Sequence, residues 1–273
     1  MAGAIWLPGV NDTTGGGGHR TVLSQGTQSN SLTTTGVTGD IPSLTTAANG
    51  APVWDFSGAT YTALRVVTPG TALRWTTKGS YAGWFKASSL LGDIRALYSQ
   101  WPEGTAPTNN RMIAGLTLGD NTRWNINGSW NGQSTDDATY ATPDNRWKYN
   151  STNGINFATW HFLRFTYDVT LDNYSTGGKN YSNRVRVYVD EVLDVGSGYS
   201  APHDGPTPET RWGTAPDGPV RGTQLYPATI AFTLGSTHAL GGSWRGQIGP
   251  FYVANGEVSA ATWKRIMKYR APA

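Results

Sequence analysis

The chain has 273 residues, 14% of them charged, with 21 Lys and Arg against 18 Asp and Glu. The basic residues form no run, so the net charge of +3 does not indicate nucleic-acid binding. Twelve Trp and thirteen Tyr exclude a disordered chain, the absence of Cys excludes disulfides and thiolate metal sites, and no apolar run is long enough to cross a membrane.

Residues 1–50 are polar, rich in glycine and threonine, and include a four-glycine run at residues 15–18. Their bulky apolar residues are scattered, apart from the cluster Ile5, Trp6 and Leu7. Such a segment alone cannot bury enough apolar surface to offset the entropy lost on ordering. We expect residues 1–50 to form an extended arm that docks on a neighbouring subunit through this cluster. The alternative is an arm that packs along its own domain.

Residues 51–273 alternate apolar and aromatic residues with polar ones between turn residues, a pattern typical of β-strands. The strands over 81–87 and 94–99 are predicted to be neighbours, and those over 111–118 and 122–127 a hairpin. The predicted strands are, in chain order, 53–56, 61–67, 81–87, 94–99, 111–118, 122–127, 160–168, 184–190, 229–235 and 246–254. The core is predicted to contain Trp54, Phe56, Trp84, Phe165, Val187, Phe232, Ile248 and Phe251.

One helix is predicted near the end of the chain. Ser259 is a good N-cap, and the residues after it favour or tolerate helix. Trp263, Ile266 and Met267 lie at helical spacing, which predicts that they pack on the sandwich. The polar stretches at 131–156 and 196–226 are predicted to be long loops.

The order of these motifs resembles the concanavalin A-like lectin and glucanase superfamily, and most closely its laminin G-like and pentraxin branch. The motifs that carry the resemblance are Val53-Trp-Asp-Phe56, Tyr81-Ala-Gly-Trp-Phe85, Phe165-Thr-Tyr-Asp168, Val187-Tyr-Val-Asp190, Phe232-Thr-Leu-Gly235, Trp244-Arg-Gly246 and Phe251-Tyr-Val253. The resemblance implies an all-β chain, with residues 51–273 forming a two-sheet antiparallel jelly-roll sandwich. This chain departs from the family at Glu191, where a glycine is common after the strand-ending Asp190, which leaves the register of that hairpin open.

The residues contain no constellation typical of an enzyme. Glycosidases of this superfamily need two carboxylates on one strand face, whereas alternation places Glu191 opposite Asp190 and Asp194. The four histidines have no metal-ligand spacing, and for His161 we expect a hydrogen-bonded role within the sheet. We therefore expect a protein that is not an enzyme.

Calcium is an optional ligand of the superfamily, bound by carboxylates and carbonyls. Asp120, Asp136 and Asp137 fall in loops and are weak candidates for such a site. Turn formation explains these residues equally well. No other cofactor is expected.

Carbohydrate binding is indicated by aromatic residues in and around a long loop, since exposed aromatic rings stack on sugars. The candidate residues are Trp124, Trp130, Trp147 and Tyr149. The alternative is that these rings fill the core of the sandwich.

Two functions remain open from the sequence. The first is a structural subunit of a virus or phage particle, as a capsid decoration protein or a fibre or tail component, whose partners are other virion subunits, including copies of itself. The chain begins without a secretory signal peptide, so we expect synthesis in a host cytoplasm and a final location in the virion. The second is a carbohydrate-binding, lectin-like module that recognises a surface glycan.

Overall fold

The chain folds into β-strands and a short helix in a computed structural model that describes residues 2–14, 20–26, 31–34, 41–57, 63–67, 69, 73–74, 77–88, 95–100, 113–117, 123–129, 146–156, 158–168, 185–194, 229–237, 242–256 and 258–273. Helix α1 spans Ala260–Lys268. The strands of the described residues are β1 Ala2–Trp6, β2 Asp12–Thr14, β3 Arg20–Leu23, β4 Gln25–Gly26, β5 Ser31–Thr34, β6 Ser43–Thr46, β7 Pro52–Asp55, β8 Leu64–Val66, β9 Lys78–Ala87, β10 Arg95–Gln100, β11 Ile113–Thr117, β12 Arg123–Ser129, β13 Arg146–Gly154, β14 His161–Asp168, β15 Val185–Val189, β16 Val192–Asp194, β17 Phe232–Leu234 and β18 Gly246–Asn255.

The described strands form two antiparallel sheets, which confirms the predicted all-β sandwich. The first sheet has the order β16-β15-β14-β9-β18-β1-β4, and β7 also pairs with β18 and with β6. The second sheet has the order β13-β12-β11-β10-β17-β8-β5-β3-β2. Several pairings, such as β1 with β18 and β8 with β17, join remote parts of the chain.

The core lies between the two sheets and is rich in aromatic residues. Phe232 of the second sheet stacks on Phe251 of the first, with ring centroids 5.6 Å apart, and Tyr81 stacks on Tyr98 at 5.0 Å. Seven of the eight predicted core residues are fully buried in this layer: Trp54, Phe56, Phe165, Val187, Phe232, Ile248 and Phe251.

Trp84 is the exception among the predicted core residues. It lies on the outer face of the first sheet because Tyr81 and Phe85 of the same strand point inward. Its ring packs on Phe162, with centroids 5.4 Å apart, and its Nε1 donates to the carbonyl of Met267 at 3.2 Å. Trp84 therefore joins the helix to the sheet and does not fill the space between the sheets.

The predicted pairing of the strands over 81–87 and 94–99 is wrong. β9 lies in the first sheet between β14 and β18, whereas β10 lies in the second sheet between β11 and β17. Both strands bury their residues so thoroughly that alternation could not tell a neighbour within one sheet from a strand across the sandwich. The predicted hairpin of β11 and β12 is confirmed.

The described parts of residues 1–50 are strands of the sandwich, which differs from the expected extended arm. β1 lies between β18 and β4 in the first sheet, with Trp6 opposite Phe251. β3 and β5 continue the second sheet outward from β8. The expected division at residue 50 therefore separates strands that are paired with each other.

A buried ion pair also joins the first 50 residues to the rest of the chain. The carboxylate of Asp12 accepts hydrogen bonds from Arg20 Nη1 at 2.6 Å and from Trp54 Nε1 at 3.0 Å. Arg20 Nε donates to the carbonyl of Pro42 at 3.1 Å. Because these strands are only two to five residues long, their apolar residues come singly in the sequence and are buried only after remote strands have paired.

Helix α1 packs on the outer face of the first sheet, as the sequence predicted. Ser259 caps it by accepting a hydrogen bond from the Thr262 backbone N–H at 3.2 Å. Trp263 is buried against Phe162, with ring centroids 6.4 Å apart. Neither α1 nor any other helix in the described ranges is long and apolar enough to cross a membrane.

Candidate functional site

The outer faces of the two sheets differ in what covers them. On the first sheet, Trp263, Ile266 and Met267 of α1 pack against Phe162 and Tyr252. In the second sheet, no described helix lies on the outer face.

A row of polar residues crosses the outer face of the second sheet. The register places one residue of every strand directly opposite the next, and residues that face each other across strands point to the same side. The row runs from β2 to β11 through Thr13, Thr21, Thr33, Arg65, Thr233, Ser99 and Ala114. The backbones of Asn127 and Lys148 continue this register in β12 and β13. The described members of the row are five hydroxyl residues, one alanine and one cationic residue, Arg65, with no acidic residue among them.

The row is accessible at the end formed by β2, β3, β5 and β8. Thr13 is exposed, and Thr21, Thr33 and Arg65 are half-buried. Further along the row, Thr233 is 0% and Ser99 1% exposed, so a ligand cannot reach them from solvent. We call Thr13, Thr21, Thr33 and Arg65 the open end of the row.

The hydroxyl groups of the open end retain hydrogen-bonding capacity. Thr13 Oγ1 donates to the carbonyl of Thr21 at 3.5 Å, and Thr33 Oγ1 donates to the carbonyl of Arg65 at 3.4 Å. These contacts are long, and each hydroxyl oxygen still offers lone pairs. Burial lowers the pKa of the Arg65 guanidinium, but an arginine remains cationic at neutral pH. The open end therefore presents hydroxyls beside one planar cation.

The predicted aromatic cluster is not assembled on the surface by the described residues. Trp124 is fully buried in the core between the sheets and cannot stack on a sugar. Trp147 and Tyr149 have backbones in β13 opposite Gly128 and Ile126. Trp130 lies outside the described residues, as do the side chains of Trp147 and Tyr149. Trp124 thus fills the core of the sandwich, which was the alternative to sugar binding. Sugar binding by Trp130, Trp147 and Tyr149 stays a prediction.

The predicted anchor cluster is divided between the core and the surface. Trp6 is fully buried and stacks on Phe232 and Phe251, with both centroid distances 6.2 Å. Leu7 is also buried, while Ile5 is half-buried beside α1. Trp6 therefore anchors the chain to its own core and is not free to bind a neighbouring subunit.

The three calcium candidates, Asp120, Asp136 and Asp137, lie outside the described residues. Within the described ranges, no three His, Asp or Glu side chains come close enough together to hold a metal ion. The calcium prediction is therefore untested.

The carboxylates Asp190 and Glu191 occupy the two turn positions between β15 and β16. Both have positive φ values, 53° and 64°, which is the backbone conformation of a two-residue hairpin turn. The turn therefore forms without the glycine that is common at position 191 in the superfamily that the sequence resembles. Asp190 accepts hydrogen bonds from His161 Nδ1 and from the Phe162 backbone N–H, each at 2.8 Å. His161 Nε2 accepts from the Asn156 backbone N–H at 3.0 Å, so the ring has the tautomer that donates through Nδ1. The expected hydrogen-bonded sheet role of His161 is confirmed.

Glu191 is held by a buried arginine. Arg164 Nε and Nη2 donate to its two carboxylate oxygens at 2.8 and 2.9 Å, and the two side chains are 4% and 6% exposed. The guanidinium of Arg164 also lies 3.5 Å from the ring centroid of Tyr188. Both carboxylates of the turn are thus engaged in contacts that fix the hairpin.

The polar row could not be found from the sequence. Its members come from seven strands, six of them between residues 13 and 114 and the seventh at residue 233, and only the pairing register places them side by side. The sequence signal was limited to single threonines and serines between apolar residues of short strands.

Comparison with known proteins supports the fold. No family model and no curated protein matches the chain. The structure is similar to the botulinum neurotoxin serotype C1 binding domain, with a TM-score of 0.53, 10% identity and coverage of 98% of this chain and 52% of that one. It is similar to the binding domain of botulinum neurotoxin DC in complex with SialylT, with a TM-score of 0.54, 10% identity and coverage of 98% and 52%.

A third solved structure is domain 4 of the extracellular arabinanase AbnA from Geobacillus stearothermophilus in complex with arabinotriose. Its TM-score is 0.45 and its identity 14%, over 86% of this chain and 87% of that one. A TM-score this low supports no conclusion about this chain. The chain spans about half the length of the two neurotoxin domains. At 10% identity those likenesses show the fold alone, a β-sandwich of the kind that lectin-like domains share.

Proposed function

We propose that this chain is a non-catalytic carbohydrate-binding module that contacts its glycan through the open end of the polar row. The observation that carries the proposal is the alignment of Thr13, Thr21, Thr33 and Arg65 on adjacent strands of one accessible sheet face. Neighbouring strands are about 4.8 Å apart, so the four residues span roughly 14 Å. That length accommodates an oligosaccharide better than a single small molecule.

The chemistry of the open end matches that of a glycan. Sugar hydroxyls both donate and accept hydrogen bonds, and threonine hydroxyls do the same. Arg65 adds a planar group with several donors, which suits paired hydroxyls or a sugar carboxylate. The row has no acidic residue that would repel an anionic sugar, so we expect a preference for glycans that carry a carboxylate.

The solved structures with a similar fold are consistent with this proposal. One of them, the binding domain of botulinum neurotoxin DC, was determined in complex with SialylT. That complex concerns the neurotoxin and identifies no residue of this chain. The match covers 52% of that domain, so it supports the fold of this chain and does not locate a sugar on it.

The other function considered from the sequence, a structural subunit of a virus or phage particle, has less support. Its main argument was an arm anchored on a neighbour through Ile5, Trp6 and Leu7. Since Trp6 and Leu7 are buried in this chain's own sandwich, that argument is weakened. Capsid partners, homo-oligomers and a virion location stay predictions without a supporting observation.

A glycan array followed by calorimetry tests the carbohydrate-binding proposal. The full chain is screened on neutral and carboxylated glycans, and the best ligand is titrated against Thr33→Val and Arg65→Met. Both variants keep the size of the side chain while removing its polar groups. We expect each to weaken binding about tenfold, which corresponds to the loss of one hydrogen bond to a bound ligand.

The matched control is Thr46→Val, at an exposed position of β6 in the first sheet. It removes the same hydroxyl from a strand of the other sheet and should leave affinity unchanged. The proposal is contradicted if no glycan binds, or if Thr46→Val weakens binding as much as Thr33→Val. Release of reducing sugar from the bound glycan would contradict its non-catalytic part.

A further inference from the structure

A groove of about 320 Å³ lies on the outer face of the first sheet, between β1 and α1. Its floor includes Gly3 and Ala254, two small residues that face each other in register. Its walls include Ile5, Val258 and Ile266, which are half-buried and so keep part of their apolar surface exposed to the groove. The groove is on the opposite side of the sandwich from the polar row.

The lining of the groove is suited to an aliphatic chain and not to a sugar. Trp263 and Tyr252 line it but are only 1% and 3% exposed, so neither offers an open ring for stacking. No charged side chain is among the lining residues. An apolar cavity of about 150 Å³ can hold benzene, so this groove has room for a longer apolar group.

Two polar atoms of the wall are left unsatisfied in the described part of the chain. Tyr252 Oη and Trp263 Nε1 are buried, and neither has a hydrogen-bond partner. Buried donors are nearly always paired in folded proteins. The hydroxyls of Ser259 and Thr262, in contrast, are paired with each other at 2.9 Å in the helix cap.

One cation of α1, Arg265, is a helical neighbour of the groove-lining residue Thr262. Arg265 follows Thr262 by one helical turn and therefore lies on the groove side of α1. Arg265 is exposed and has no ion pair with any described residue. The other exposed cations near it, Lys264 and Lys268, point away from the groove by helical spacing, and α1 contains no acidic residue.

We propose that this groove binds a single-chain anionic amphiphile of the fatty-acid class, with the aliphatic chain in the groove and the carboxylate at Arg265. Apolar lining and one rim cation complement these two parts of the ligand. A single chain fits better than a bilayer surface, because the apolar residues are recessed between helix and sheet. The site is independent of the proposed glycan site.

Calorimetry with sodium decanoate, kept below its micelle concentration, tests this proposal on the full chain. Two variants fill the groove: Ala254→Leu at the floor, and Thr262→Phe on the exposed helix flank, which changes no buried contact. Arg265→Gln removes the rim charge, and Lys264→Gln is its matched control on the other flank of the helix. Decanol supplies the same chain without the charge, and vesicles of phosphatidylcholine with phosphatidylserine supply a membrane surface.

We expect decanoate to bind at one site. Ala254→Leu and Thr262→Phe should each weaken decanoate binding at least tenfold. Arg265→Gln should weaken it about tenfold, to the affinity measured for decanol. Lys264→Gln should bind like the unaltered chain. Absence of decanoate binding would overturn the proposal, and so would undiminished binding by Thr262→Phe. Equal effects of the Arg265 and Lys264 variants, or binding to vesicles without binding to decanoate, would overturn it as well.

Discussion

Replacing Glu191 by glycine tests whether the hairpin depends on its ion pair or on its backbone. Glu191 has a φ of 64°, a conformation that costs a side-chain-bearing residue about 1–2 kcal/mol and that glycine adopts freely. On this ground alone, Glu191→Gly should stabilise the protein. The same change removes both hydrogen bonds from Arg164, whose side chain is 4% exposed.

The electrostatic loss outweighs the backbone gain. Removing one partner of a buried ion pair costs about 3–5 kcal/mol, because the remaining charge is left unpaired. Subtracting the backbone gain leaves a net destabilisation of about 1–4 kcal/mol. The variant keeps the cation–π contact between Arg164 and Tyr188, which still stabilises the unpaired guanidinium. We therefore expect a destabilisation toward the lower end of this range.

Urea denaturation, followed by fluorescence and circular dichroism, measures this effect as a change in the free energy of unfolding. The control is Lys78→Met, which breaks a more exposed ion pair with Asp168 in the same sheet and should cost less than about 1 kcal/mol. Arg164→Leu combined with Glu191→Gly should be more stable than Glu191→Gly alone, since no buried charge is left unpaired. A Glu191→Gly variant as stable as the unaltered chain would refute the reasoning.

Three further predictions follow from the packing of the sandwich. Trp6→Ala should lower the free energy of unfolding by about 3–5 kcal/mol. A chain that lacks residues 1–50 should lose its cooperative thermal transition. If the truncated chain melts cooperatively at an unchanged temperature, the expectation that residues 1–50 form a separate arm would be supported instead. Asp12→Ala should destabilise by about 3–5 kcal/mol in urea, because Arg20 would lose its buried partner, and a cost below about 1 kcal/mol would contradict this. Burial raises the pKa of Tyr81 and Tyr98 above the ordinary 10.0, so the folded state binds more protons than the unfolded state above about pH 10 and stability should fall there as pH rises. Ultraviolet absorbance of tyrosinate should then appear together with unfolding, and its appearance for these residues in the folded state would contradict their burial.

The sequence predicted the fold class, most strands and the helix because those features depend on local patterns. Alternation in β15 placed Val187 inward, and helical spacing placed Trp263 against the sheet. These signals need no knowledge of which strands are neighbours. They depend only on the periods of the strand and the helix.

The features that the sequence missed depend on remote pairing. Short strands such as β2 and β4 carry too few apolar residues to show alternation, so the first 50 residues resembled an arm. Trp84 and Trp124 are both in strands, yet one is outside the core and the other inside it, and their residue type alone does not distinguish the two positions. The polar row and the groove beside α1 exist only once the register of remote strands is known.

Hydrogen–deuterium exchange with and without the best array glycan tests the central claim most directly. Bound glycan should slow backbone exchange in β3, β5 and β8, the strands that carry Thr21, Thr33 and Arg65, while α1 exchanges as before. The measurement needs no variant and so does not depend on any substitution being tolerated. Protection confined to β1 and α1, or no protection at saturating glycan, would contradict a sugar-binding surface on the second sheet.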